Sequence, residues 1–438
     1  MNKTWGSLIV AAAAATGQAG CTQDATLSAD ALAPVKVGLI TSLSGGLESL
    51  GPGWVQTART AEIEVRAGGG PLPGRNVVFV VADDGTSGDT GRAAAQRLVD
   101  EEGIVGIVGA AASGVSRAVN EVAVAARIPQ ISCCSTSDLL TPGPEIAMAD
   151  RFFFRTVSPD GGLQAPVLAE NVARNRLMCD VLGVIHLDDS YGQPFGEAVE
   201  AKFEELGGTV PIRIPYTEGE PSYRDQVAML VGALEPTPMD QKICVALVSY
   251  PADGGIIMRE FNEMAPDLDV TFVGGDGVKS LGLVTEAGDP SLVANMLGTA
   301  PFTEQGSTSN TRFIEAHRAI WGDYPDAGLF PSAQYDAAAI MLLAIAYAGT
   351  TDGDAIRDAM YTVSNRNAGE EFFTAGELTR AIQFIRENPG VDMDFEGASG
   401  PCELNDRGFA PTNYEIWRYD QEMNAFVTDM VIRAADIQ

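Results

Sequence analysis

Short apolar runs along the chain alternate with longer stretches in which apolar positions recur every three or four residues, and Gly- or Pro-rich breaks separate the two. The first pattern predicts buried strands and the second amphipathic helices. Val35–Ile40, Asn76–Val81, Ile104–Val108 and Pro129–Ser132 read as strands. Trp54–Ala67, Thr90–Glu102 and Gly114–Ala126 read as helices, with a Gly/Pro turn at Gly68–Gly74. This alternation implies a parallel sheet with helices on both faces.

An aromatic strand, Arg151–Val157, precedes a second series of the same kind. Its strands are Val181–Leu187, Thr209–Ile214, Ile243–Ser249 and Val270–Gly274, with helices at Phe195–Leu206, Tyr223–Leu234 and Gly255–Met264. From Asn310 to Asn388 the pattern is mostly helical and includes the apolar helix Ser332–Ala348. Strand character returns at Asn413–Tyr419. The predicted architecture is α/β, with two doubly wound parallel-sheet lobes joined by a multi-stranded hinge. Residues 35–155 plus about 302–395 are assigned to lobe 1, and 156–301 plus about 396–438 to lobe 2. Crossing between lobes more than once is what makes a hinge.

Ligands of open parallel sheets sit beyond the carboxyl ends of the strands. Ser113 falls there, opening a helix whose first N–H groups lack intrahelical partners and so favour an anion. Cys134, Ser135 and Thr136 follow another strand and offer a carbonyl and two hydroxyls. Tyr191, Tyr250 and Asp276 follow strands of the second series. Each alone reads as a cap or turn residue. Together at one edge of two sheets, they suit a small zwitterion.

The length of 438 residues calls for more than one core. A formal charge of −31 argues against nucleic acid, whose phosphates need Lys and Arg. Lys3, the apolar run Trp5–Ala15 and the small residues up to Cys21 read as a leader occupying residues 1–21, and Thr22–Pro34 as a tether. No Gly-x-Ser-x-Gly, phosphate loop or His-Glu-x-x-His is present, so no enzyme, metal or cofactor is expected. His186 lies in a predicted strand and His317 in a helix, and the pairs Asp83-Asp84 and Asp188-Asp189 read as turn carboxylates. Among the cysteines, Cys179 precedes one parallel strand and Cys244 begins another, making them candidates for a disulfide. Cys133 and Cys134 are expected not to join each other.

In order and spacing, VKVGLITSLSGGLESLG, GGGPLPGRNVVFVVADDGTSGDTGRAAAQRLVD, IVGIVGAAASGVS, IPQISCCSTSDLLT and LDDSYGQPFG resemble the leucine/isoleucine/valine-binding proteins of the type I periplasmic binding fold, the substrate receptors of amino-acid ABC transporters. The likeness runs from Val35 to about Val431. It implies that Ser113, nearby backbone N–H groups and Thr136 take a ligand carboxylate, and that the Cys134 carbonyl and Asp276 take its ammonium. Tyr191 matches a family aromatic, Tyr250 falls near another, and Leu50 stands where relatives often carry an aromatic wall. Cys133-Cys134 replaces Pro-Ala or Ala-Ala. Ala19-Gly20-Cys21 resembles the end of a lipoprotein signal, implying lipidation of Cys21 and a periplasmic or cell-envelope lipoprotein. The resemblance implies a monomeric receptor for a neutral, branched-chain or aliphatic amino acid, served by an ABC permease in the inner membrane. Its alternatives are a ligand-sensing lipoprotein of the same fold, or a receptor for amides, urea or aromatic acids.

Overall fold

The computed structural model describes residues 32–143, 145–325 and 330–437. The leader, Cys21 and most of the tether lie outside the described residues.

β1 (Val35–Thr41) pairs in parallel with β2 (Val77–Asp83), from Val35 opposite Val77 to Thr41 opposite Asp83. On its other side lies β3 (Ile107–Val108), followed by β4 (Gln130–Ser132) and β5 (Phe153–Arg155), giving the order β2-β1-β3-β4-β5. α1 (Gly51–Ala67), α2 (Gly88–Arg97) and α3 (Ser113–Ala126) connect them. Helices over both faces explain why β1 is almost wholly buried and reads as a continuous apolar run.

The expected strand Ile104–Val108 shrinks to Ile107–Val108. The helix before it carries on past Arg97 through a wider, π-type turn, Leu98–Glu102, and Gly103 ends that turn in the left-handed conformation (φ 62°). Ile104 then serves as core filling ahead of the strand.

The second sheet begins with β6 (Val181–Leu187), β7 (Thr209–Tyr216), β8 (Ile243–Val248), β9 (Val270–Gly274) and β10 (Leu297–Pro301), all parallel. α4 (Gly192–Glu205), α5 (Arg224–Leu234), α6 (Pro251–Met264) and α7 (Leu281–Ala287) lie between them. The chain then runs through α8 (Thr308–Trp321), α9 (Pro331–Ala348), α10 (Gly353–Ser364), β11 (Glu371–Thr374), α11 (Leu378–Glu387) and β12 (Met393–Glu396). α9 is buried nearly all round, packed against α1, α10, α11 and β4, so its sequence is apolar on every face. Finally β13 (Tyr414–Asp420) and β14 (Ala425–Ile432) join the second sheet antiparallel, in the order β14-β13-β10-β9-β8-β6-β7. The sequence pattern pointed to β13 but not to β14, whose residues are mostly half-buried or exposed.

Strand order reverses between β1 and β3 in one sheet and between β6 and β8 in the other. These switch points are where connections diverge and leave a crevice.

A disulfide joins Cys179 to Cys244 across the neighbouring strands β6 and β8, with Cα atoms 5.8 Å apart. Cys133 and Cys134 are also bridged, to each other, which corrects the sequence expectation. Both are buried side by side after β4. Cys402, the remaining thiol among the described residues, is held elsewhere, donating to Asp336 Oδ2 at 3.3 Å.

Candidate ligand site

β4 ends at Ser132, whose hydroxyl donates to the Ala110 carbonyl (2.6 Å) and accepts from the N–H groups of Cys134 (3.2 Å) and Ser135 (3.0 Å). This side-chain turn curls the Cys134–Thr136 segment back over the start of α3. There Ala112 supplies no capping side chain, leaving the positive end of α3 facing the crevice. Ser113 is the first residue of that helix. Its Oγ accepts from the Ser137 N–H at 3.2 Å, which leaves the hydroxyl proton free to donate.

From the second sheet, Tyr191 is aimed by Asp189, whose Oδ1 accepts from the N–H groups of Tyr191 (2.9 Å) and Gly192 (2.7 Å). The Tyr191 ring stacks on Tyr250, with centroids 5.7 Å apart and planes 7° from parallel. Its hydroxyl donates to Asp276 Oδ1 (3.0 Å) and accepts from the Gly277 N–H (3.2 Å). Asp276 follows β9 and is buried. Gln164 donates to its Oδ1 at 3.0 Å, and Thr136 approaches its Oδ2 at 3.5 Å. Burial pushes the Asp276 carboxyl up to about 6, and the hydrogen bonds from Tyr191 and Gln164 only partly offset this.

Ser113, Cys134, Thr136, Tyr191, Tyr250 and Asp276 thus surround one cavity of about 20 Å3 between the sheets. Two residues expected there lie outside its lining. The Ser135 hydroxyl turns inward to the Ala111 carbonyl (2.9 Å) and Ser116 Oγ (2.8 Å), where it braces the loop. Leu50 packs in the core, and the apolar wall is made by Leu47 and Trp54 instead. α1 begins immediately after Leu50, and the first turn of that helix brings Trp54 round to the cavity.

Asp160 and Gln164 were not anticipated. They lie on a π-type helical segment from Asp160 to Arg176 that the apolar pattern does not betray. The signal available was Pro159 ahead of Asp160, with Gln164 four residues on and so on the same face. The Asp160 N–H donates to the Thr136 carbonyl at 2.7 Å, but neither carboxyl oxygen accepts a well-formed hydrogen bond. Burial, then the nearby Asp138 and Asp276, raise its carboxyl well above the ordinary range, while Arg155 and the Thr136 hydroxyl ease it.

An anion-favouring helix end with two hydroxyls therefore faces the buried Asp276 carboxyl across a narrow gap. That arrangement can hold a molecule carrying both charges. His186 and His317 lie away from it: His186 Nδ1 meets the Leu187 carbonyl and His317 Nδ1 the Asp323 carbonyl. Asp83 accepts from Leu43 and Ser44 in the loop after β1 and from Gly85 in its own loop. Among the described residues, no cluster of three His, Cys, Asp or Glu is placed to hold a metal, and no helix is long and apolar enough to cross a membrane.

Residues 34–387 match the model of a family described as periplasmic binding protein. An amino acid binding protein of Pseudomonas aeruginosa is 27% identical over 341 residues, which is 77% of this chain and 85% of that one. The chemotactic signal transduction system substrate-binding protein BasB of Halobacterium salinarum is 28% identical over 380 residues, covering 85% of this chain and 83% of its own. The crystal structure of the leucine binding protein LivK from Thermotoga maritima superposes with a TM-score of 0.72 at 21% identity, over 92% of this chain and 99% of that one. These relatives and this fold are those of substrate-binding proteins and not of enzymes. Matched over most of its length, the chain belongs to the periplasmic binding protein family, the solute-binding receptors of the type I fold.

Proposed function

We propose that the chain is an exported receptor that takes a free α-amino acid between its two sheets and delivers it to an ABC permease. The observation that carries this reading is the meeting of Thr136 with Asp276 beside the uncapped start of α3. The ligand carboxylate would accept from the Ser113 hydroxyl, the first N–H groups of α3 and Thr136. Its ammonium would lie between Asp276 and the Cys134 carbonyl, with Asp160 behind. Leu47, Trp54, Tyr191 and Tyr250 give aliphatic methylenes apolar contact, and the names of relatives such as LivK favour an aliphatic side chain.

A cavity of about 20 Å3 has room for about one water and not for an amino acid. Entry therefore requires the lobes, 35–155 with about 302–395 and 156–301 with about 396–438, to part about their connecting segments. Seam contacts such as Ser137 Oγ to the Ser190 carbonyl (2.5 Å) would break on opening. Closure on a ligand would restore them and present the permease with the loaded shape. A lipid on Cys21 would keep the receptor at the membrane.

Calorimetric titration of the protein, stripped by unfolding and refolding, against single L-amino acids tests this. Micromolar binding supports it, and silence from a folded protein across the whole set overturns it. The name of BasB favours a second reading, a sensor reporting to a signalling partner. Deleting the gene separates the two, since a transport receptor costs uptake and a sensor costs the response.

A further inference from the structure

The cleft does not end at the cavity. Beyond Tyr250, four carboxyl groups gather along the seam: Asp84 from the first sheet, and Asp189, Glu218 and Asp253 from the second. Glu218 reaches across to accept from the Gly46 N–H at 3.0 Å. A Cβ on Gly46 would fall 2.5 Å from Glu218 Oε1 and 3.3 Å from the Tyr250 ring, so glycine is what lets these surfaces meet. The four carboxyls lie close enough to act on one another: Asp253, Asp189 and Asp84 all raise Glu218, after the larger effect of its burial. Among the described residues, none of the four makes an ion pair with Lys, Arg or His, and Arg117 nearby is turned to the Ser190 hydroxyl at 3.5 Å.

A second observation is independent of the carboxyls. Tyr250 is only 4% exposed, lines the cavity and lies in the field of Asp189 and Glu218, yet its hydroxyl has no hydrogen-bond partner. Buried polar groups without partners are uncommon, and each calls for an explanation. Inside the cluster, Asp84 Oδ2 is buried and unpartnered too. The cleft thus carries acceptors in excess, and Glu218, pushed up to about 8 chiefly by burial, is a carboxyl that a ligand cation would favour in its ionised form and that a ligand with a neutral side chain would leave without a partner.

We propose that this end of the cleft receives a second cationic group, so that the ligand is an amino acid with a cationic side chain, of the lysine, ornithine or arginine class. This rests on the head-group reading above, and for the side chain it departs from the aliphatic one that the names of relatives favour, keeping the apolar stem and adding a cation at its end. The methylene stem would pass between Leu47, Trp54 and the stacked tyrosines. Its terminal donors would reach Glu218, with the Tyr250 oxygen and the free oxygen of Asp84 as further acceptors. An ammonium or guanidinium has only donors to offer, which is what this lining lacks.

The test compares L-lysine with L-norleucine, which keeps the head group and the four-carbon stem and lacks the terminal ammonium. Titration of the wild-type protein is expected to show lysine, ornithine or arginine binding at least about tenfold more tightly than norleucine. Glu218→Gln still offers Gly46 an oxygen acceptor, and is expected to collapse that ratio to within about threefold. Norleucine or leucine binding as tightly as every cationic amino acid would overturn the inference and leave the amino-acid receptor standing. An unchanged ratio in Glu218→Gln, with the fold confirmed by circular dichroism, would overturn it too. Failure of all these ligands to bind would remove the head-group reading along with it.

Discussion

The Thr136 hydroxyl lies 3.5 Å from Asp276 Oδ2, although the two residues are 140 positions apart in the chain and belong to loops of different sheets. With Gln164 and Tyr191, it makes a shell of neutral donors around a buried carboxylate. No cation in the protein pairs with Asp276 among the described residues, so an incoming ammonium is what would complete it. Asp276→Asn keeps the shape and removes the charge. Losing one member of a buried charge pair costs about 3–5 kcal/mol, which is roughly 10²–10³-fold or more in affinity. Calorimetry should show that loss while the melting temperature at pH 7 stays level or rises. Binding within about threefold of wild type would remove the ammonium assignment.

Asp276 must be ionised to hold an ammonium, and in the free protein burial raises its carboxyl to about 6. A bound ammonium stabilises the carboxylate and lowers that value, so binding below about pH 6 releases a proton. With L-norleucine, whose neutral side chain leaves Glu218 aside, affinity should be flat from pH 8 to about 6.5. It should then fall by up to about tenfold per pH unit beneath 6. Titration in two buffers of different ionisation enthalpy would show the released proton. Affinity that rises toward pH 5 would contradict this account.

Ser113 Oγ accepts from the Ser137 N–H, so in the proposed site its proton would go to the ligand carboxylate. A hydrogen bond to a charged group contributes about 1.5–3 kcal/mol. Ser113→Ala should therefore weaken amino-acid binding by roughly 10–100-fold, while Ser135→Ala, which alters only the brace between the loop and α3, should weaken it less. Equal losses in the two variants would mean that Ser113 acts on loop shape and not on the ligand.

How far the sequence carried depended on whether a residue announced itself by local pattern. β1, β6 and α9 are buried on every side, and their apolar runs are long enough to locate. Ser113, Thr136, Tyr191 and Asp276 could be singled out because strand ends point to a sheet edge whatever the packing. Asp160 and Gln164 could not, since their helical segment is wound with π-type turns and interrupted by Pro166, which blurs the 3.6-residue period. Leu50 and Trp54 exchanged roles for a related reason: where α1 begins decides which one faces the cleft, and element ends are set by caps and packing more than by composition. The bridge between Cys133 and Cys134 depends on side-chain placement within one loop, which no spacing reveals.

The disulfide from Cys179 to Cys244 closes a loop with a sequence separation of 65 residues, enclosing β6, α4, β7 and α5. Constraint of the unfolded chain by a loop of this size is worth about 2–4 kcal/mol. A Cys179→Ala, Cys244→Ala double variant should melt several degrees lower, with amino-acid affinity little changed, because neither residue reaches the cavity. A variant that melts at the wild-type temperature would show that β6 and β8 hold the sheet without the bridge.

Several buried carboxyls besides Asp276 carry raised values: Glu64 up to about 7, Asp84 up to about 6 and Asp336 up to about 6, each chiefly through burial. Asp336 accepts from Ala398 N (2.6 Å), Ser399 N (2.7 Å) and Ser399 Oγ (2.5 Å), yet burial still outweighs those bonds. A carboxyl of this kind binds its proton more tightly when folded than when unfolded. Its contribution to stability is therefore fully present below the unfolded value near 4 and is lost as pH rises through 6 to 7. For each fully buried group the loss is on the order of 2 kcal/mol. Exposed carboxyls held low, such as Asp354 beside Arg127 and Asp289 beside Ser291, act in the opposite sense, but only as pH falls toward 4 and below. Between pH 5 and pH 8 the buried set decides the slope. Differential scanning calorimetry of the ligand-free protein should give a higher melting temperature at pH 5.5 than at pH 8. A saturating amino acid should flatten part of that slope, because Asp276 then stays ionised in the folded state throughout the range. A melting temperature that climbs steadily from pH 5.5 to 8 would mean that these side chains are ionised and satisfied in the fold, against the arrangement described for each.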